Sequence, residues 1–525
     1  MRPGACCAAL QSATVARFFC TLFPELPMNL MNHDQRIYSS FIAGEFTHRS
    51  AGAAPPDSVR AVYAPADGSL IAEVHDADVV VVDRAVTAAR DACEVWSGGS
   101  RRDRSDVLFA FADAIASESE RLARVEARDT GRPIVETRED VSATVDQFRY
   151  FASALRVHED ELVQHDADGY SMIEHEPYGV AGLIIPWNFP LLIAGWKLAP
   201  ALAAGNTCVI KPAELAPMSI IELACIADQV LPPGVINVVT GDGKVGAALC
   251  SHELVNILSF TGSPETGRRV AAAAAERVVP CLLELGGKSA NIIFPDAPMD
   301  KAIATAPLSI LFASGQMCNA GSRLLVHEDV YETVIEKLAT RFRTIRPGDP
   351  LDENTRLGPL ISREQWDRVE SYIQKGVTAG ARLVCGGRRL TGGKLDDGYY
   401  VEPTLFADVD PDSVIAQEEI FGPVLCVIPF RDEAHAVEIA NNSAYGLAGG
   451  VWTRDGARGI RVARKIRTGT VWVNEYNLVP SGSPFGGYGK SGYGREVHKH
   501  ALSEFSQKKN IYVSLSDEAV DWYSL

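Results

Sequence analysis

The chain has 525 residues, 46% hydrophobic and 22% charged, with a formal net charge of -17 at pH 7. That length exceeds what one hydrophobic core can serve, so two or three domains are expected, and the composition is that of an ordinary globular protein. The acidic balance excludes electrostatic docking on nucleic acid or anionic lipid, because both need a basic face.

Residues 1–34 fit poorly with the rest and read as a disordered extension. Arg2 and the Ala/Cys/Leu stretch after it faintly resemble a signal peptide. Gln11, Ser12, Thr14 and Arg17 interrupt that stretch, however, and no clear cleavage site follows. An upstream start codon, with Met28 or Met31 as the true first residue, is the alternative.

Val80 to Ala92 and Asp106 to Ala127 then show helical periodicity, and Tyr170 to Glu174 alternates like a strand. The uncharged run Pro177 to Trp196 is long enough to raise a membrane span, but Pro186 and Pro190 would break the helix and Asn188 would be costly in lipid. A buried strand and a loop fit it better. From there short apolar strands (Leu183–Ile185, Thr207–Ile210, Val235–Val239, Ile257–Phe260, Pro280–Leu285) alternate with helices (Leu191–Ala203, Ser219–Val230, Gly246–Cys250, Glu265–Ala275). That rhythm predicts βαβ units and a parallel sheet, whose ligands bind at the carboxyl ends of the strands.

After Glu284 a second α/β region begins, with helices near Lys301 to Phe312 and Val330 to Arg343. Gly- and Pro-rich punctuation from Pro480 to Gly494 predicts a long functional loop. Asn510 to Ser514 alternates like a strand and has no sequence-adjacent partner, so it pairs either with Tyr170–Glu174 or with another subunit.

Eleven cysteines, none in a CxxC pair, predict reduced thiols and a cytoplasmic location. The histidines form no HExxH pattern, and His498 and His500 read as solvent-facing, so no metal site is expected.

Three segments carry chemistry. Cys318 lies in Gly315-Gln316-Met317-Cys318-Asn319-Ala320-Gly321, where small residues leave room for close approach and a usable backbone N–H. A catalytic thiol there needs a local bias toward thiolate. Glu284 ends an apolar strand before Gly286-Gly287 and could activate water, unless it merely pairs with Lys288. Asn188, in Pro186-Trp187-Asn188-Phe189-Pro190, is an amide in a stiff apolar loop and could donate to an oxyanion or satisfy turn backbone. A thiol, a base and a donor are the parts needed to oxidise an aldehyde through a thioester. Phe260–Gly267 closes a strand and opens a helix, an anion site suited to pyrophosphate although its glycine spacing is not the usual dinucleotide fingerprint. Lys211 and Glu214 follow a strand and could bind ribose hydroxyls or form a surface ion pair.

These residues resemble the NAD(P)-dependent aldehyde dehydrogenase superfamily over about residues 35–515, because seven motifs occur in the family's order. They are Pro186–Pro190, Lys211–Glu214, Phe260–Gly267, Leu283–Ser289, Gly315–Gly321, Glu419–Val424 and Ser483–Gly487. The resemblance implies an α/β fold of two parallel-sheet domains plus a small β oligomerisation arm. The NAD-binding domain would be 35–157 and 178–284, the catalytic domain 285–495, and the arm and tail 158–177 and 496–525. It also implies a homodimer or homotetramer. Cys318 would be the nucleophile, Asn188 an oxyanion donor and Glu284 the base that releases the acid rather than a coenzyme A ester.

Trp187, Lys211, Glu214, Gly243, Gly262, Ser263, Gly267, Glu419 and Phe421 would border the cofactor, and Lys197 would be structural or support the reacting residues from behind. The Glu214 carboxylate favours NAD over NADP, since it would repel a 2′-phosphate. Phe189, Ile193, Trp196, Met317, Asn319, Val479 and Phe485 would line a mainly apolar tunnel for an uncharged aliphatic or aromatic aldehyde. No arginine stands out to clamp a carboxylate, and Trp196, Tyr476 and Phe485 are the only candidates for a cage around a quaternary ammonium. A non-catalytic NAD-binding or structural protein of the same fold is the alternative.

Overall fold

The computed structural model describes residues 37–49, 59–518 and 521–523, so the expectations for residues 1–34 lie outside the described residues. Two parallel sheets organise the rest. In the first, five central strands run parallel in the spatial order Cys281–Glu284, Ile257–Thr261, Val180–Ile184, Thr207–Lys211 and Ile236–Val238. Gly492–Tyr493 adds antiparallel at one edge, and Phe41–Ile42 with Glu45–Phe46 at the other. These strands read as continuous apolar runs because helices cover both faces of a parallel sheet. The strand order reverses between Val180–Ile184 and Ile257–Thr261, so the crevice beyond their carboxyl ends is the natural ligand site. The loops leaving those two ends hold Trp187-Asn188 and Gly262-Ser263.

The second sheet orders Arg382–Cys385, Thr404–Ala407, Val424–Phe430, Arg323–His327, Ala290–Ile293, Ala448–Trp452 and Thr470–Val473, parallel except for its first pair. Its core is aliphatic and aromatic, with Leu325, Phe406, Val451 and Phe430 buried. Glu284 ends a strand of the first sheet and Ala290 begins one of the second. The carboxyl ends of the first sheet therefore face the amino ends of the second, with the segments before Ala290, Arg323 and Val424 between them.

Most expected elements occur within a few residues of their expected bounds, and two helices differ. The periodicity of Asp106 to Ala127 runs through two helices, Arg101–Ser117 and Ser119–Thr130, separated at Glu118, whose φ -105° and ψ 13° leave the helical region. Both halves keep one apolar face toward the core, so the period survives the break. The segment Lys301 to Phe312 likewise divides into Met299–Thr305 and Leu308–Leu311, because Pro307 has no N–H to continue the ladder.

The two strands without local partners pair with each other. Ser506–Ser514 runs antiparallel to Gly169–Pro177 along its whole length, and Glu161–Gln164 covers the other side. At the base of this arm His158, Asp160 and His175 lie together. The Asp160 carboxylate accepts from Arg101 at 2.6 Å and faces His175 Nδ1 at 3.1 Å. Among the described residues no helix is long and apolar enough to cross a membrane.

Asn206 ties the arm to the first sheet. Its side chain accepts from the Gly179 N–H at 3.0 Å and donates to the carbonyls of Phe505 and Ala201 at 2.8 and 3.1 Å. The residue is fully buried, so removal of its amide orphans backbone groups that water cannot reach. Asn206→Ala is expected to lose about 1–3 kcal/mol for each buried group left unpaired, read as a lower midpoint in urea-induced unfolding.

Candidate active site

Cys318 follows a tightly wound approach. Ala313, Ser314 and Gly315 all have positive φ (50°, 55° and 76°), a run that costs energy and persists only where surrounding bonds enforce it. Glu136 Oε2 accepts from the Ala313 N–H at 2.9 Å, Ser314 Oγ donates to the Gly358 carbonyl at 2.8 Å, and Gln316 Nε2 donates back to the Ala313 carbonyl at 3.0 Å. Gly315 is required by close approach as well: a Cβ there would lie 2.1 Å from the Gly422 carbonyl oxygen. The Cys318 side chain packs against the buried cluster of Leu447, Phe485 and Val497.

Burial pushes its thiol well above the ordinary range, and the nearby Glu284 and Glu419 carboxyls push the same way, against backbone N–H groups of Asn319 and Cys318 itself. The expected standing bias toward thiolate is therefore not met. Ionisation of the thiol is disfavoured in this environment.

Asn188 is buried, and its Nδ2 donates to the Gln316 carbonyl at 2.8 Å, joining the two loops directly. A primary amide has two N–H donors, so the second stays available toward a ligand. Pro190 then opens the helix Pro190–Ala204, which fixes the exit of the loop.

Glu284 is buried with neither carboxyl oxygen hydrogen-bonded. Burial raises its pKa well above the usual carboxylate range, the Glu496 carboxylate adds to this, and Lys197 and Arg495 oppose it. The alternative pairing with Lys288 does not occur: the Lys288 ammonium is itself buried without a hydrogen-bond partner, and burial lowers it to about 8. Gly486 makes room for the acid, since a Cβ there would sit 2.7 Å from Glu284 Oε1.

Sequence reasoning missed Glu496 and gave Lys197 only a structural or supporting part. The Lys197 ammonium donates to Glu496 Oε1 at 2.6 Å and to Ser259 Oγ at 2.9 Å, all three residues buried. A signal was present. Lys197 is the only charged residue in the helix Pro190–Ala204, and a lysine in so apolar a helix requires a buried acid.

The expected cofactor residues lie around the crevice. The Lys211 ammonium lies 3.6 Å from the Glu214 carboxylate just beyond Thr207–Lys211, with Lys211 buried and Glu214 exposed. Gly243 starts the helix Gly243–Ser251, with nothing within 4 Å of where a Cβ would stand. Ser263 caps the helix Pro264–Arg277, accepting from the Thr266 N–H at 3.2 Å. Gly262 and Gly267 allow the Phe260 ring and the Leu285 side chain to pack within 3 Å of their missing Cβ positions.

Glu419, partly buried and raised to about 7 by desolvation, accepts from the Gly287 N–H at 3.0 Å and lies across Gly286, where a Cβ would be 2.0 Å from Oε2. Phe421, at φ 63°, meets the Trp187 ring edge-on at 5.4 Å. An exposed carboxylate beside a lysine, two helix amino ends and bare glycine backbone fit a dinucleotide with its ribose and pyrophosphate.

The expected tunnel residues divide into groups. Trp196 and Val479 pack against the same cluster as Cys318, a cluster that includes Phe485, and the Trp196 and Phe485 rings are 5.0 Å apart. Ile193 is buried, and the Phe189 ring lies against Phe312 with the Arg132 guanidinium 4.1 Å from its centre. Met317 and Asn319 both contact Asn477: Asn319 Nδ2 donates to its Oδ1 at 2.9 Å, and its Nδ2 donates to Met317 Sδ at 3.6 Å. The Tyr476 hydroxyl donates to the Asn319 carbonyl at 2.9 Å and its ring packs on Trp472, so it is not free to join Trp196 and Phe485 in a cage.

The family model described as aldehyde dehydrogenase family matches residues 53–511. An aldehyde dehydrogenase of Vibrio cholerae is 43% identical over 491 residues, covering 92% of this chain and 96% of the relative. An NAD+ complex of a Bacillus cereus aldehyde dehydrogenase is 41% identical with a TM-score of 0.88, covering 91% of this chain and 97% of that one. A betaine aldehyde dehydrogenase of Staphylococcus aureus in complex with NAD+ is 38% identical with a TM-score of 0.89, covering 93% and 97%.

Alkylation of Cys318 by iodoacetamide, followed by mass spectrometry, is expected to rise with pH with its midpoint above the ordinary thiol value of about 8.5. An ionised Glu284 resists thiolate formation beside it, whereas glutamine stays neutral. Glu284→Gln should therefore move the midpoint to lower pH.

Proposed function

The chain belongs to the aldehyde dehydrogenase family and is an NAD-dependent aldehyde dehydrogenase, and from that premise we propose that Cys318, Asn188 and Glu284 carry its chemistry and that its substrate is an uncharged aliphatic or aromatic aldehyde. The observation that carries the assignment is the buried, unbonded Glu284 carboxyl close enough to the Cys318 thiol to raise its pKa.

In this reading the Cys318 thiol loses its proton to solvent and its sulfur attacks the aldehyde carbon. The free N–H of the Asn188 amide and the Cys318 backbone N–H receive the oxyanion, and losing one such donor costs about 2.7–4 kcal/mol of transition-state stabilisation. NAD, when bound in the crevice, would supply the hydride acceptor, and loss of hydride from the carbon held on Cys318 would leave a thioester there. Glu284 then draws a proton from water as the water attacks the thioester, and the acid departs. An unbonded carboxyl with a raised pKa suits that task, since a general base works best with its pKa near the operating pH.

Lys211 and Glu214 would hold the adenosine ribose, and Glu419 the nicotinamide ribose. Trp187 and Phe421, with Gly243, Gly262, Ser263 and Gly267, would border the cofactor. The Glu214 carboxylate supports NAD over NADP. Residues 35–157 and 178–284 would form the cofactor domain and 285–495 the catalytic domain. The segments 158–177 and 496–525 would form an arm that joins subunits into a homodimer or homotetramer. The fully exposed outer strand Glu161–Gln164, carrying Leu162 and Val163, supports that last assignment, because an uncovered apolar edge strand favours pairing. Unpaired cysteines throughout the described residues support a reducing compartment such as the cytoplasm.

A quaternary ammonium aldehyde is the second reading, favoured by the Staphylococcus aureus relative and by the Trp196–Phe485 ring pair. The committed Tyr476 hydroxyl weighs against it.

NADH formation across aliphatic, aromatic, amino and betaine aldehydes should rank uncharged aldehydes first by kcat/KM. A betaine aldehyde preference would reverse the substrate assignment. In Glu284→Gln the first-turnover burst of NADH should persist while steady-state turnover falls by about 10²–10⁴, checked by stopped-flow absorbance.

A further inference from the structure

Behind the Asn188 loop lies a charge cluster that no motif announced. Arg132 is buried, as are Glu126, Glu136 and Asp140 around it. Its guanidinium pairs with Asp140, lies 3.4 Å from Glu136 Oε2 and 3.9 Å from Glu126 Oε1, and donates to the Asn188 carbonyl at 3.4 Å. It also covers the Phe189 ring at 4.1 Å. The acids have backbone partners of their own on both sides of the site. Glu126 Oε2 accepts from the Leu191 N–H at 3.0 Å, at the second residue of the helix after Asn188, and Glu136 Oε2 accepts from the Ala313 N–H at 2.9 Å, at the start of the left-handed run before Cys318.

We propose that Arg132 is a positioning residue for the oxyanion donor: by gripping the Asn188 carbonyl and Phe189 ring on one side, and the acid that clamps Ala313 on the other, it holds the Asn188 amide and the Cys318 loop in one register. The proposal rests on the roles assigned above to Asn188 and Cys318. In front of the cluster the Asn188 Nδ2–Gln316 carbonyl bond joins the two loops at 2.8 Å and fixes the amide at one point. The cluster behind supplies the second and third points that fix its orientation. Three acids around one guanidinium cannot all ionise in a buried site, and burial pushes Glu126, Glu136 and Asp140 upward accordingly. Burial thus favours protonated acids within the cluster, and its contacts with Arg132 form a hydrogen-bonded clamp beneath the site.

The test compares Arg132→Met, Arg132→Lys, Asn188→Ala and the double variant Asn188→Ala/Arg132→Met. It measures the NADH burst rate, NAD affinity by quenching of tryptophan fluorescence, and folding by circular dichroism. A loss of about 10- to 100-fold in burst rate is expected for Arg132→Met with NAD affinity unchanged, because misplacement of a catalytic group by about 1 Å is worth that much. The lysine variant should recover part of the loss. The double variant should lose less than the product of the two single losses, since Arg132 acts in part through the Asn188 amide. If Arg132→Met does not fold, Glu136→Ala decides, as it frees the Ala313 N–H while leaving Arg132 on Asp140, and the same tenfold or greater loss is expected. A folded Arg132→Met, or failing that Glu136→Ala, with a burst rate within twofold of wild type overturns the proposal. If Asn188→Ala itself keeps its burst rate, the oxyanion assignment falls instead.

Discussion

The chain leaves the first sheet at Glu284 and enters the second at Ala290, with only Leu285–Ser289 between. An extended chain spans at most about 3.3–3.6 Å per residue, so this short crossing holds the carboxyl ends of one parallel sheet against the amino ends of the other. Every chemical group then has one place to go. Loops that leave the first sheet supply Asn188 and the helix amino ends, while segments about to enter the second supply Cys318 and Glu419. Glu284 belongs to the crossing itself, which is why bare glycines flank it. Gly287 presses so closely on the Cys318 carbonyl that a Cβ would stand 2.4 Å from the oxygen.

Packing two sheet ends together excludes water from whatever lies between, and the electrostatics follow. The Cys318 thiol and the Glu284 and Glu419 carboxyls are all pushed toward their neutral forms, chiefly by burial. Lys197 and Glu496 pair at 2.6 Å within the same buried region. Their pair and Arg495 then bias Glu284 from opposite sides, with Glu496 raising it and the two cations lowering it. A base tuned by one buried acid and two cations has its pKa set by geometry rather than by solvent.

The alternating strands and helices between residues 180 and 284 were legible because a parallel sheet covered on both faces writes its strands as uninterrupted apolar runs. The motif segments were legible too, since a nucleophile, a base and bare glycine backbone leave few alternatives in sequence. What stayed hidden was pairing over long separations. Glu496 lies 299 positions from Lys197, and Glu136 lies 177 positions from Ala313. Periodicity reports which face of an element is buried, not which element it meets, so Glu126, Glu136 and Asp140 read as ordinary polar positions of helices. The break at Glu118 was hidden for a related reason: two helices that keep the same face inward preserve the period across the kink.

The disfavoured ionisation of the thiol also explains why so much structure surrounds one cysteine. A thiolate is the form that oxidises and alkylates, so a standing anion beside an open crevice would be lost to side reactions. Holding Cys318 as a thiol defers ionisation until an electrophile arrives, but deferral works only if stabilisation of the developing charge is ready at that moment. Donors that must first reorganise cannot supply it. The left-handed turn before Cys318, the two-point hold on Gln316 from the Ala313 carbonyl and the Ile361 N–H, and the Asn188 bond to the Gln316 carbonyl fix those donors before any ligand arrives. Backbone strain before the nucleophile and suppressed thiol ionisation are therefore two sides of one arrangement: the structure fixes its donors in advance so that the reactive charge need not exist in advance.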